Sequence, residues 1–136
     1  MLMKQLFENE YMEIRTDTIQ GILEIDLKKN SDNIKKFDEQ IVIINQYVKD
    51  TKDKKLILKL NNLYEISKES ILKEKFLPFI GEQKVKTVAV ITGENMKVKT
   101  LISELDSYLA SEKEHYDISL NLFETYEQAF QWISSD

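Results

Sequence analysis

Gly21-Ile22-Leu23-Glu24-Ile25-Asp26-Leu27 is the stretch on which the reading of this chain turns. Leu23, Ile25 and Leu27 fall on one side of an extended strand, and Ile22, Glu24 and Asp26 on the other, because successive side chains in a strand point to opposite faces. Such alternation belongs to a sheet packed on one face and largely open on the other, whereas a strand buried on both faces reads as a continuous apolar run. Two further stretches repeat the pattern. Leu56, Leu58 and Leu60 alternate with Lys55, Ile57 and Lys59, and Ile118, Leu120 and Leu122 alternate with Asp117, Ser119 and Asn121. Only residues 85–92 are apolar on both sides, with Val88 and Val90 opposite Val85, Ala89 and Ile91. The pattern predicts helices mainly on one face of the sheet, as right-handed crossovers that keep winding in one direction produce. It also predicts an apolar strip near Ile22, Ile57, Val88 and Val90 on the open face.

Working outward, Tyr11-Met12-Glu13-Ile14-Arg15 alternates as a short first strand, and Asp17 and Thr18 suit a hairpin turn. Asn30 and Ser31 offer N-caps for a helix whose apolar face is Ile34, Phe37, Ile41, Ile44 and Val48. Beyond the strand at 55–60, Ser67 can cap a second helix carrying Ile71, Leu72 and Phe76, which Pro78 ends or kinks before Gly81. Beyond residues 85–92, the loop Gly93-Glu94-Asn95 leads to a helical stripe of Val98, Leu101, Ile102, Leu105, Tyr108 and Leu109. The strand at 117–122 is followed by Thr125 and Gln128, a capping-box pair, which opens a last helix with Tyr126, Ala129, Phe130 and Ile133 inward. The order β-β-α-β-α-β-α-β-α predicts a single α/β domain over residues 1–136. Its sheet is expected to be five-stranded and mostly parallel, with an antiparallel N-terminal strand.

Composition narrows the chemistry. The 136 residues carry 24 acids against 19 bases, a formal net charge of −5, which argues against nucleic acid as a partner. The lysine-rich stretch at 49–55 alternates with acids and reads as a solvated loop. Cysteine is absent and His115 is the one histidine, so disulfides, thiolate nucleophiles and cysteine- or histidine-rich metal sites are excluded, and no metal or cofactor is expected. Three glycines leave little material for a phosphate-cradling loop. No apolar run reaches the ~18 residues of a membrane span, and the first residues lack the apolar stretch of a signal peptide. A soluble, cytoplasmic protein is expected.

The order of elements, the strand Lys86-Thr87-Val88-Ala89-Val90-Ile91 and the ending Phe123-Glu124-Thr125-Tyr126-Glu127-Gln128-Ala129-Phe130-Gln131-Trp132-Ile133 resemble the STAS/SpoIIAA-like domain family. That family is related in fold to the lipid-binding CRAL-TRIO (Sec14-like) domains. The resemblance implies a bacterial protein with a singly wound β/α fold and a regulatory, protein-binding role. Phosphorylatable members carry a serine in an Asp-Ser-Ser-Gly context where the second helix begins. Ser67 holds a comparable position in Asn61-Asn62-Leu63-Tyr64-Glu65-Ile66-Ser67. The aspartate and glycine of that motif are missing, so the chain is similar to a divergent member, and the kinase-switched, anti-sigma-factor-antagonist role loses its support.

Each candidate site has an ordinary reading beside the functional one. A phosphate on Ser67 would meet free amides at a helix N-terminus, but a serine there is more often a plain N-cap. Asn61, Asn62 and Tyr64 follow the carboxyl end of one central strand, and Gly93, Glu94 and Asn95 that of the next, an edge where open parallel sheets place ligand sites. The same residues are also good turn formers. His115 lies on the opposite edge with no Gly-x-Ser-x-Gly elbow to serve, and no catalytic constellation emerges. The expected function is therefore non-enzymatic binding of a protein partner or small ligand, with a homodimer through the open sheet face as one form. The alternative is a carrier of an apolar small molecule or lipid, held between the sheet and the helices bearing Phe76 and Leu105. A phospho-switched anti-sigma-factor antagonist, or an uncharacterised hydrolase using Ser67 or carboxylates, stands third.

Overall fold

A computed structural model describes residues 3–28, 34–50, 55–60, 82, 85–112 and 117–135. The described elements are strands β1 (Lys4–Glu8), β2 (Met12–Asp17) and β3 (Ile22–Leu27), helix α1 (Ile34–Asp50), strands β4 (Lys55–Lys59) and β5 (Thr87–Ile91), helix α2 (Met96–Ser111), strand β6 (Ser119–Phe123) and helix α3 (Tyr126–Ser134). The expected caps at Asn30 and Ser31, the helix opened by Ser67, and His115 lie outside the described residues.

The six strands lie in one mixed sheet in chain order, β1-β2-β3-β4-β5-β6. β1, β2 and β3 run antiparallel to one another, and β3 to β6 run parallel. The fold is therefore α/β as expected, with one strand more than the alternation predicted. The extra strand escapes a period-two reading because its pairing with β2 shifts between Gln5 and Phe7. One residue there has no partner, so the adjacent Leu6 and Phe7 both pack against the same core, as a β-bulge permits. The β2–β3 hairpin closes as its turn residues dictate. The Asp17 carboxylate accepts the amide N–H groups of Ile19 and Gln20 at 3.1 and 3.2 Å. Gly21 then takes φ 68°, a left-handed conformation that side-chain-bearing residues disfavour.

Parallel neighbours joined in sequential order require crossovers of one hand, which places their helices on one side. The principal core bears this out. Ile41, Ile44 and Val48 of α1 and Val98, Ile102, Leu105 and Leu109 of α2 pack with Met12, Ile14, Leu23, Ile25, Leu56, Leu58, Val88 and Val90.

The opposite face is not left open. Ala129 and Ile133 of α3 pack on Ile22, Ile57, Ala89 and Ile91, with Phe123, Tyr126, Phe130 and Trp132 around them. The expectation that this face is largely open is corrected accordingly, for a physical reason, while α1 and α2 do share the other face. α3 follows β6, beyond the crossovers that join β3 to β6. Its position follows from where apolar surface remains. The register also corrects the strip itself: Ile57 pairs with Ala89 and Leu58 with Val90. Ala89 and Ile91 therefore share a side with Ile57, while Val88 and Val90 point into the principal core. β5, apolar on both sides, is covered on both. The capping box that starts α3 is present, with the Thr125 hydroxyl accepting the Gln128 amide at 3.2 Å and the Gln128 side chain accepting the Thr125 amide at 3.4 Å.

Candidate functional site

Of the two loops predicted to form a binding edge, the one after β5 is described. Gly93 takes φ 59° to turn the chain, and Asn95 caps α2, its side-chain oxygen accepting the Val98 amide at 3.2 Å. The loop is tied to its neighbour after β6: the Thr92 amide donates to the Phe123 carbonyl at 2.9 Å, and Lys99 meets Glu124 at 2.9 Å. Asn95 thus does the work of a cap, and Glu94 is exposed. Asn61, Asn62, Tyr64 and Ser67 lie outside the described residues. Leu105, placed beside an apolar ligand in the carrier reading, is buried in the principal core; Phe76 lies outside the described residues. A depression of about 380 Å³ lies on the other side of α2, lined by Met96, Lys99, Thr100, Ser103, Glu104 and Ser107.

A charged group that the alternation read as solvent-facing lies on the α3 side of the sheet. The strand registers align Gln5, Arg15, Glu24, Ile57, Ala89 and Asn121 in one row across all six strands. The next row is Glu8, Glu13, Asp26, Lys59, Ile91 and Phe123. Both rows pass from polar and charged residues over β1–β3 to apolar surface, reached at Ile57 on β4 in the first row and, beyond Lys59, at Ile91 on β5 in the second, and Glu24 stands at the boundary. It is 0 % exposed, whereas its pairing partner Arg15 is 33 % exposed along the side chain. Asn121 stays exposed and Lys59 partly so, so the second helical layer covers only part of that face.

The contact between Arg15 and Glu24 is one-armed: Nη2 meets Oε1 at 2.7 Å. Among the described residues, Arg15 Nε, Glu24 Oε2 and Asp26 Oδ1 are buried without a hydrogen-bond partner, and Lys59 approaches Asp26 only to 3.8 Å. A two-armed guanidinium fork would hold a carboxylate ionised. Here burial outweighs the attraction of Arg15, Asp26 adds repulsion, and the Glu24 carboxyl titrates above its ordinary range. The Tyr126 phenol faces the same group from α3; its own burial and the negative charge of Glu24 push it up to about 12. Chemically, the arrangement can hold or give up a proton beneath a helix. Sequence reasoning missed it because Glu24 sits in a regular alternation. The signal that could have found it is the pair Ile22 and Ile57 beside it, which needed a cover of their own.

Among the described residues, no three groups of the metal-binding types converge, and no helix is long and apolar enough to cross a membrane. The chain matches no protein-family model, no curated protein and no solved structure to a significant degree.

Proposed function

We propose that this chain is a cytoplasmic, non-enzymatic interaction module of the STAS/SpoIIAA-like kind, acting by binding a protein partner. The singly wound run from β3 to β6, with α1 and α2 on one side, is compatible with that family's architecture. The observation that carries the functional reading is the division of the α3 face. The main packing of α3 is against β4, β5 and β6, and it reaches β3 at Ile22 and Glu24, which leaves Gln5, Glu8, Glu13, Arg15 and Asp26 as a charged and hydrogen-bonding half over β1–β3. Mixed charge of this kind suits the polar surface of another protein better than an apolar small molecule.

Crosslinked capture from the native cell, with wild type and Glu13→Lys in parallel, tests the reading. Glu13 accepts from Gln5 at 2.6 Å, so its reversal alters the surface charge without touching either core. A partner held by wild type and lost from the variant supports this face; equal capture by both places the contact elsewhere. A second copy of the chain is one such partner, and light scattering at high concentration reads it directly.

A further inference from the structure

Among the described residues the second face closes through one short helix, and that helix closes over a carboxyl group. Only Ala129 and Ile133 of α3 are fully buried, so its hold on the sheet is small beside that of α1 and α2. Glu24 lies in the same layer as Ile22, its neighbour two residues back, and Ile57, its register partner. Its Oε2 has no partner among the described residues, one arm of Arg15 donates to Oε1, and the Tyr126 phenol couples to the carboxyl from α3.

We infer that α3 is a latch whose hold on the sheet is set by the proton on Glu24, seated when the carboxyl is neutral and opening more often when it is ionised. An ionised carboxylate beneath the helix keeps one oxygen unsolvated and unpaired, a cost removed when α3 lifts and water reaches it. The neutral carboxylic acid bears far less of that cost. Every charged group near it has a definite sign. Arg15, Glu13 and Asp17 lie on β2, Asp26 on β3, Lys59 on β4, and the Tyr126 phenol on α3, while Glu127 in the first turn of α3 is exposed. Arg15 and Lys59 favour ionisation, Asp26 opposes it, and burial decides between them.

The sign follows from linkage. A group whose titration is raised in the closed state stabilises that state fully below its exposed pKa and loses the contribution as pH rises through the closed-state value. Amide exchange measured by NMR from pH 4 to pH 8, corrected for intrinsic rates, reads the opening directly. Protection across Tyr126–Ser134 should fall with rising pH, by about tenfold for each unit by which Glu24 titrates above its exposed value. Protection across Val98–Leu109 should not follow it. Glu24→Gln, which carries no charge at any pH, should flatten the α3 profile. Protection in α3 that ignores pH, or a Glu24→Gln profile identical to wild type, overturns the latch. Should Glu24→Gln fail to fold, Asp26→Asn supplies the same decision. Removing a repelling neighbour must move the α3 midpoint to lower pH, and an unmoved midpoint overturns the inference.

Discussion

The two faces of this sheet are closed by different means. One is covered by α1 and α2, helices that link consecutive parallel strands and are held at both ends by the connections they make. The other is covered by α3, which follows β6 and buries only Ala129 and Ile133 fully. The first core runs through apolar side chains from Met12 and Ile14 on β2 to Val98 and Leu109 on α2, with the uncharged Thr16 and Gln40 also buried on β2 and α1. The second grades into Glu24, Arg15 and Asp26. α1 and α2 meet apolar side chains on the strands beneath them, whereas the footprint of α3 is matched only in part. The small pair Ala89 and Ala129, both 0 % exposed, shows where that fit is closest.

The largest test of the contrast compares one isoleucine from each core. Ile25→Ala removes a side chain from the middle of the first core and should cost about 2–5 kcal/mol, read as a cooperative loss in chemical denaturation. Ile133→Ala should fall at the low end of that range, and its loss should register as faster amide exchange in α3 before any change in α2. Equal, global effects from both would show that the faces are one cooperative unit.

An intermediate effect is expected from Arg15→Met. Glu24 would then lack its guanidinium hydrogen-bond donor, and stability should drop by about 2 kcal/mol near neutral pH. This lies below the figure for a fully buried pair, because Arg15 is partly exposed. The deficit should shrink as pH falls, since a protonated Glu24 needs no cation, and denaturation series at pH 4 and pH 7 would show it. A deficit unchanged between pH 7 and pH 4 would mean that Glu24 does not take up a proton in that range.

The alternation in residues 22–27 could be read because it records a local geometric fact, that neighbouring side chains diverge. The capping box of Thr125 and Gln128 could be read for the same reason, since both partners lie within one turn. Registers could not. Whether Ile57 sits beside Ala89 or Val88 depends on how two strands slide, and nothing within either strand states it. β1 was hidden by its bulge, which places Leu6 and Phe7 together where a regular strand would separate them. The burial of Glu24 was hidden because the sequence shows that Ile22 and Ile57 need cover but not which helix supplies it. Of the predicted binding edge, Gly93, Glu94 and Asn95 lie in a loop after β5 as expected, and Asn95 proves to be a cap.

The smallest effect comes from a second carboxylate–cation pair, Glu8 with Lys28. Here the setting is open. The hydrogen bond and charge of Lys28 dominate, and the Glu8 carboxyl titrates below its ordinary range, the opposite direction from Glu24. Lys28→Ala should return Glu8 toward that range in an NMR titration while leaving the melting temperature unmoved, because exposed pairs contribute little to stability. A clear fall in melting temperature would show that this edge of the sheet matters more to the fold than its exposure suggests.

The irregularity between Gln5 and Phe7 has a consequence for self-adhesion. A flat outer strand offers its unused amides and carbonyls to any passing copy of the same strand, the first step toward fibrous stacking. The extra residue in β1 bends that ribbon, and the exposed Lys4, Gln5 and Glu8 add charge and polarity along it. Deleting Leu6 would straighten the margin of the sheet and make it stickier.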